Sequence, residues 1–195
     1  MNHLTTIALL ALLPLHLFGG ETEVIETGKP LPDVEVRKAD GTTVTLHDLH
    51  QDTPTVLVFY RGGWCPYCTR HLSALGEVEG RLREAGYQII AVSPDRPEKV
   101  KESLEKHEFS YQLVSDSPMN AAKAFGLAFT VDEETFKQLQ GYGIDIEGDS
   151  GTTHRMLPVP AVFLIDAEGI IQFVHADPDY KQRLSNAALL KAAGM

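Results

Sequence analysis

Four short apolar runs alternate along the chain with longer segments in which apolar side chains return every three or four positions. The runs are Thr55 to Tyr60 (TVLVFY), Gln88 to Val92 (QIIAV), Tyr111 to Val114 and Ala161 to Ile165 (AVFLI). Unbroken hydrophobicity of this length, ended by Gly, Pro or Asp, predicts strands covered on both faces. After the first run, Leu72, Leu75, Val78 and Leu82 share one helical stripe that Gly86 closes. Glu98 to His107 predicts a charged amphipathic helix, Asn120 to Phe125 a short one stopped by Gly126, and Tyr180 to Ala193 a closing one. Val34–Val36 and Val44–Leu46 flank the turn signal Ala39-Asp40-Gly41, a hairpin pattern. Asp166-Ala167-Glu168-Gly169 turns the fourth run back into Ile170 to His175. Ala128 to Leu157 is the least regular stretch, and its acidic run Asp132-Glu133-Glu134 fits a solvated helix start. Strands alternating with helices, then a hairpin and a helix, predict an α/β fold. Its mixed central sheet is flanked by helices, with a β-hairpin added at the N-terminal side.

The first twenty residues stand apart from this pattern. MNHLTTIALLALLPLHLFGG carries no Asp, Glu, Lys or Arg, and Leu4 to Phe18 is largely apolar. That length suits the core of a secretory signal better than a membrane span, with Gly19-Gly20 offering small residues for cleavage. Residues 1–20 are therefore expected to be a signal peptide, residues 21–195 one domain, and the destination a periplasm-like space. With 17 Lys+Arg against 27 Asp+Glu, a formal charge of −10 argues against nucleic acid as a partner. Two cysteines permit one bridge and no disulfide scaffold.

Those two cysteines carry the chemistry. Cys65-Pro66-Tyr67-Cys68 lies where a buried strand ends, Gly62-Gly63 turns and a helix begins. A helix start offers free N–H groups and partial positive charge, which stabilise a thiolate. In CxxC motifs so placed the thiol pKa falls from about 8.5 to roughly 3.5–7.5. The i, i+3 spacing brings the sulfurs to one helical face, where one can attack and the other resolve the product. Pro66 fits the first helical turn, and Arg61 adds positive potential nearby. A zinc site would need about four ligands, covalent haem a His where Thr69 stands. A structural disulfide across one helical turn would add little, so reversible dithiol chemistry, with sulfur carrying the electrons and no cofactor, is the leading reading, and metal binding or an inert pair are the alternatives.

FYRGGWCPYC, QIIAVSPD, YQLVSD and LPVPAVFLIDAEGII resemble the peroxiredoxin-like proteins of the alkyl hydroperoxide reductase/thiol-specific antioxidant family, which have the thioredoxin-like fold. The likeness runs from Gly28-Lys29-Pro30 to the final helix. It implies a thiol electron donor such as a thioredoxin-like protein, and a peroxide or a protein disulfide as substrate. Laid over Phe59-Tyr60-Arg61, the family's peroxidatic cysteine falls on Cys68. Its Thr falls on Cys65, its Pro on Arg61 and its later Arg on Pro160. Three of the four peroxide-activating positions are changed, which favours thiol–disulfide exchange over peroxide reduction. Pro160 resembles instead the cis-proline that faces CxxC in thioredoxins. The thioredoxin pattern makes Cys65 the nucleophile, the peroxidase pattern Cys68, and both orders stay open.

Four further residues bear on this chemistry. Trp64 precedes Cys65 as in thioredoxins and shields the sulfur or simply packs. His71, one turn after Cys68, is expected at the surface. Arg155 is a weak substitute for the missing peroxide-binding Arg. His154 is placed like the third ligand of thioredoxin-fold copper-assembly proteins, a metallochaperone alternative that the shorter cysteine spacing and Pro160 oppose.

Overall fold

A computed structural model describes residues 23–195, so the signal-peptide reading lies outside the described residues. The chain first forms strands β1 (Glu35–Lys38) and β2 (Thr43–Thr45), the expected hairpin. Where a strand was expected to run on to Leu46, helix α1 (Leu46–His50) begins. Thr45 and Asp48 explain this: each side chain accepts from the other's backbone N–H, a capping box that starts a helix. Strand β3 (Thr55–Phe59), helix α2 (Pro66–Glu84), strand β4 (Gln88–Ser93), helix α3 (Pro97–His107) and strand β5 (Gln112–Ser115) follow as the pattern predicts.

Helix α4 (Asn120–Ala124) comes next. The stretch expected to be irregular then contains β6 (Ala128–Thr130), α5 (Glu133–Gly141), α6 (Ile146–Ser150) and β7 (Met156–Pro158). The acidic helix start is there, with Asp132 accepting from Thr135 N–H at 2.8 Å. Strands β8 (Ala161–Ile165) and β9 (Ile171–Ala176) make the second hairpin. The closing helix α7 covers only Asn186–Ala192, capped by Ser185. The residues before it, expected to be helical, form turns held by Asp177 and Asp179.

Seven strands form one mixed sheet in the order β2-β1-β5-β4-β3-β8-β9, and β6 pairs with β7 separately. β3, β4 and β5 are parallel, while β8 runs antiparallel to β3 with Ala161 opposite Phe59. Period-two alternation divides the core between the faces. Leu57 and Phe59 pack with Leu46, Phe125 and Phe163, under α1 and α4. Val56 and Val58 pack with Leu72, Leu75, Val100 and Leu189, under α2, α3 and α7. This sandwich presents the C-terminal ends of β3 and β4 together, the usual place for a site in such sheets.

Candidate active site

The chain leaves β3 at Tyr60, whose N–H bonds the Val92 carbonyl at 3.0 Å, and turns through Arg61, Gly62 and Gly63. The turn closes with Cys65 N–H on the Gly62 carbonyl at 3.2 Å. From the neighbouring strand end, the Asp95 carboxylate accepts from Gly63 N–H at 2.7 Å. Cys65 is the N-cap of α2, with extended φ and ψ of −86° and 113°, and Pro66 enters the first turn. Thr69 N–H bonds the Cys65 carbonyl at 3.0 Å, so both cysteines are fixed by the helix start itself. Each is only 1% exposed.

The two thiols are pulled apart in acidity. Cys65 is brought down to about 6, first by the hydrogen bond from the Cys68 thiol. Burial opposes this, and the Cys68 N–H, Arg61 and Arg183 add to it. Cys68 is held well above its ordinary value, first by burial and then because it donates to Cys65. One proton shared between two sulfurs thus leaves Cys65 the more acidic thiol and Cys68 protonated. The reduced protein should therefore take up one equivalent of iodoacetamide at neutral pH, with a rate midpoint at about pH 6 on Cys65. Mass mapping after a pH series of quenched reactions checks this; a midpoint at the free-thiol value would contradict it.

Two cations stand over the sulfurs. Arg61 is 6% exposed, with its guanidinium 4.2 Å from the Tyr180 ring centre and 5.2 Å from that of Trp64. Tyr180 also meets Tyr67 edge-on at 5.6 Å, tying the chain before α7 to the motif. Arg183, from the same segment, places Nη2 3.5 Å from Cys68 Sγ. Stacking against aromatic faces suits a guanidinium that must stay charged in a dry site.

The structure unites Cys65, Cys68, Trp64 and Arg61. Pro160 lies at the same sheet end, next to Ala161 at the start of β8, but its peptide bond is trans, contrary to the expected cis-proline. Only two residues link β7 to β8, and Val159 N–H bonds the Leu127 carbonyl at 2.8 Å, so the chain passes extended between the two sheets. His71 is also a correction, being 9% exposed. Its pKa is lowered to about 4, by burial and then by Arg183 and His175, which keeps the ring neutral at physiological pH. Arg155 is engaged elsewhere, at 2.8 Å from both Glu133 and Glu147. His154 uses both ring nitrogens: Nδ1 accepts from Met156 N–H and Nε2 meets the Ser117 carbonyl. Among the described residues no three His, Cys, Asp or Glu side chains are placed to hold a metal.

Sequence reasoning missed Arg183, Tyr180 and Asp95. Nothing local marks the first two, which reach the motif from more than a hundred residues away. Asp95 was detectable, since Ser93-Pro94-Asp95 ends the strand beside β3. Burial pushes its carboxyl up to about 7, against the Gly63 N–H bond, from an ordinary 3.8. A folded pKa above the unfolded one means the native state binds the proton more tightly. That stability is fully present below pH about 4 and is lost as pH climbs through about 7. Melting temperature should therefore fall across this window, and Asp95→Asn should flatten the decline. Asp116, raised by burial to about 6 while capping α4, adds to the decline, whereas His71, lowered to about 4, and Cys65, lowered to about 6, oppose part of it.

A strand, a tight turn and a helix-capping CxxC on a mixed sheet define a thioredoxin-like fold. Within that class the chain belongs to the AhpC/TSA family, whose model matches residues 27–174. It is 31% identical over 145 residues to peroxiredoxin Bcp of Bacillus subtilis, covering 74% of this chain and 81% of that one. With peroxiredoxin Bcp of Escherichia coli K12 it shares 29% over 153 residues, 78% and 86% of the two chains. Among solved structures, peroxidoxin BcpB of Mycobacterium tuberculosis aligns with a TM-score of 0.67 at 22% identity, over 87% of this chain and 95% of that one. Peroxiredoxin 5 of Alvinella pompejana aligns at 0.69 and 18%, over 87% and 98%. The protein is a peroxiredoxin-like oxidoreductase.

Proposed function

We propose that the protein cycles Cys65 and Cys68 between dithiol and disulfide, acting mainly in thiol–disulfide exchange and reducing hydroperoxides slowly. The observation that carries this reading is the pair of buried thiols at the start of α2, with Arg183 Nη2 3.5 Å from Cys68 Sγ and acidities pulled apart, Cys65 down to about 6 and Cys68 up, which divides the pair into attacker and resolver. The Cys65 thiolate attacks a substrate disulfide, forming a mixed disulfide and releasing one substrate thiolate. Cys68 then gives up its proton and attacks the Cys65 sulfur, forming the internal disulfide and releasing the second thiolate. With a hydroperoxide, Cys65 takes the terminal oxygen as the alcohol leaves, and Cys68 closes the disulfide with loss of water. A thiol donor, such as a thioredoxin-like protein, returns two electrons.

The changed positions support the preference for disulfides. Cys65, Arg61 and Pro160 stand where the family's Thr, Pro and Arg activate peroxide, and Arg155 is tied to two glutamates. The reverse order, with Cys68 attacking first, is opposed by the direction in which burial moves its thiol. Stopped-flow oxidation of the reduced protein by hydrogen peroxide and by a protein disulfide tests the reading. Faster closure of the internal disulfide with the protein disulfide is the expected result. Rapid oxidation by peroxide with inert disulfides would replace it with a dedicated peroxidase. Residues 1–20 support export, and fractionation of cells expressing the full chain checks this.

A further inference from the structure

The dithiol reading leaves the reductant's binding site unassigned, and the molecule contains a cavity suited to one kind. It measures about 320 Å³ and lies between the first turns of α2 and the segment leading into α7. Arg70, Lys181 and Arg183 line it together with Tyr67, His71 and Leu184, and no acidic side chain does among the described residues. In a chain of net charge −10, three cations converging on one cavity form a local reversal of sign. None of the three is in an ion pair among the described residues. Asp179, the nearest acid in sequence, is spent on the backbone N–H of Lys181 and the amide of Gln182.

The cavity also holds an unsatisfied polar atom. His71 Nε2 is buried without a hydrogen-bond partner. Its ring faces the Leu184 backbone through the other side, so Nε2 presents a lone pair that a ligand hydrogen can satisfy. Buried polar atoms left this way mark a missing partner. Arg183 joins the cavity to the chemistry, lining it while reaching Cys68 Sγ at 3.5 Å.

Building on the dithiol reading, we propose that this cavity binds a small carboxylate-bearing thiol, which reduces the Cys65–Cys68 disulfide directly. Arg70 and Lys181 hold the carboxylate, His71 Nε2 accepts a hydrogen bond from the incoming S–H until solvent takes the proton, and Arg183 draws the ionised sulfur towards Cys68. The ligand thiolate attacks Cys68 Sγ, forming a mixed disulfide, and Cys65 leaves as thiolate. Lower leaving-group pKa speeds this step, which makes Cys65 the better of the two leaving sulfurs. A second ligand thiolate attacks the ligand sulfur of the mixed disulfide and releases Cys68. The enzyme disulfide gains two electrons, and two thiols become one ligand disulfide.

The test compares reduction of the oxidised full chain by mercaptosuccinate, 2-mercaptoethanol and cysteamine at equal thiolate concentration. The fluorescence of Trp64, the sole tryptophan, follows the reaction. Mercaptosuccinate should be the fastest despite the acidic protein, and added salt should reduce its lead. Arg70→Gln and Lys181→Gln should each lower the mercaptosuccinate-to-mercaptoethanol rate ratio about fivefold. Cysteamine reacting fastest, or ratios unmoved by both substitutions, would overturn the proposal while leaving the dithiol cycle standing. A chain that keeps two titratable thiols after oxidant treatment would fail earlier, at the dithiol reading itself, and take this inference with it.

Discussion

Cys65→Ser should lower turnover with a disulfide substrate by about a thousandfold or more, because the remaining cysteine, Cys68, is held protonated by burial. Cys68→Ser should behave differently. A serine hydroxyl still donates a hydrogen bond to the Cys65 sulfur, so the first attack should survive and stall as a covalent mixed disulfide. Cys68→Ala removes that hydrogen bond and should raise the Cys65 pKa as well as blocking resolution, since the Cys68 thiol is the largest influence lowering it. Mass spectrometry of each variant after exposure to a disulfide substrate separates the three cases. A covalent adduct on Cys65→Ser, with none on Cys68→Ser, would assign the roles the other way round.

The sequence announced this architecture because burial is written in the pattern itself. Runs covered on both faces, such as TVLVFY and AVFLI, have few other places to go than the centre of a sheet. The CxxC was legible for a related reason: strand, glycine turn and helix are local events, and they place both sulfurs without help from the rest of the chain. What stayed hidden depends on long-range packing. Elements β6, α5, α6 and β7 are short, and β6 and β7 find each other only across the helices between them. Residues 180–185 leave the helix their spacing suggests, and in doing so Tyr180 reaches Arg61 and Arg183 reaches Cys68. His71 was misjudged because polarity suggested exposure, whereas the segment before α7 covers its ring.

The tight turn before the motif bears on both stability and thiol reactivity. Gly62 has φ of +139°, a conformation that side chains rarely adopt. A Cβ added there would run into the Trp64 indole nitrogen and come 2.8 Å from Asp95 Oδ1. Neither neighbour is free to retreat: Trp64 is stacked under Arg61, and the Asp95 carboxylate holds Gly63 N–H. Gly62→Ala should therefore cost about 2–4 kcal/mol of folding stability, combining backbone strain with overpacking. It should also shift the Cys65 alkylation midpoint towards the free-thiol value, since the turn that places the sulfur at the helix start is disturbed. Gly63 provides the control. Its φ is ordinary, and an added Cβ would strike the Ser103 side chain, which is removable. Gly63→Ala combined with Ser103→Gly should recover most of the stability lost by Gly63→Ala alone, whereas no single neighbour's truncation should rescue Gly62→Ala. Denaturant melts alongside the alkylation series read both effects. If Gly62→Ala melts like the native protein and keeps its acidic thiol, the turn does not set the reactivity of Cys65.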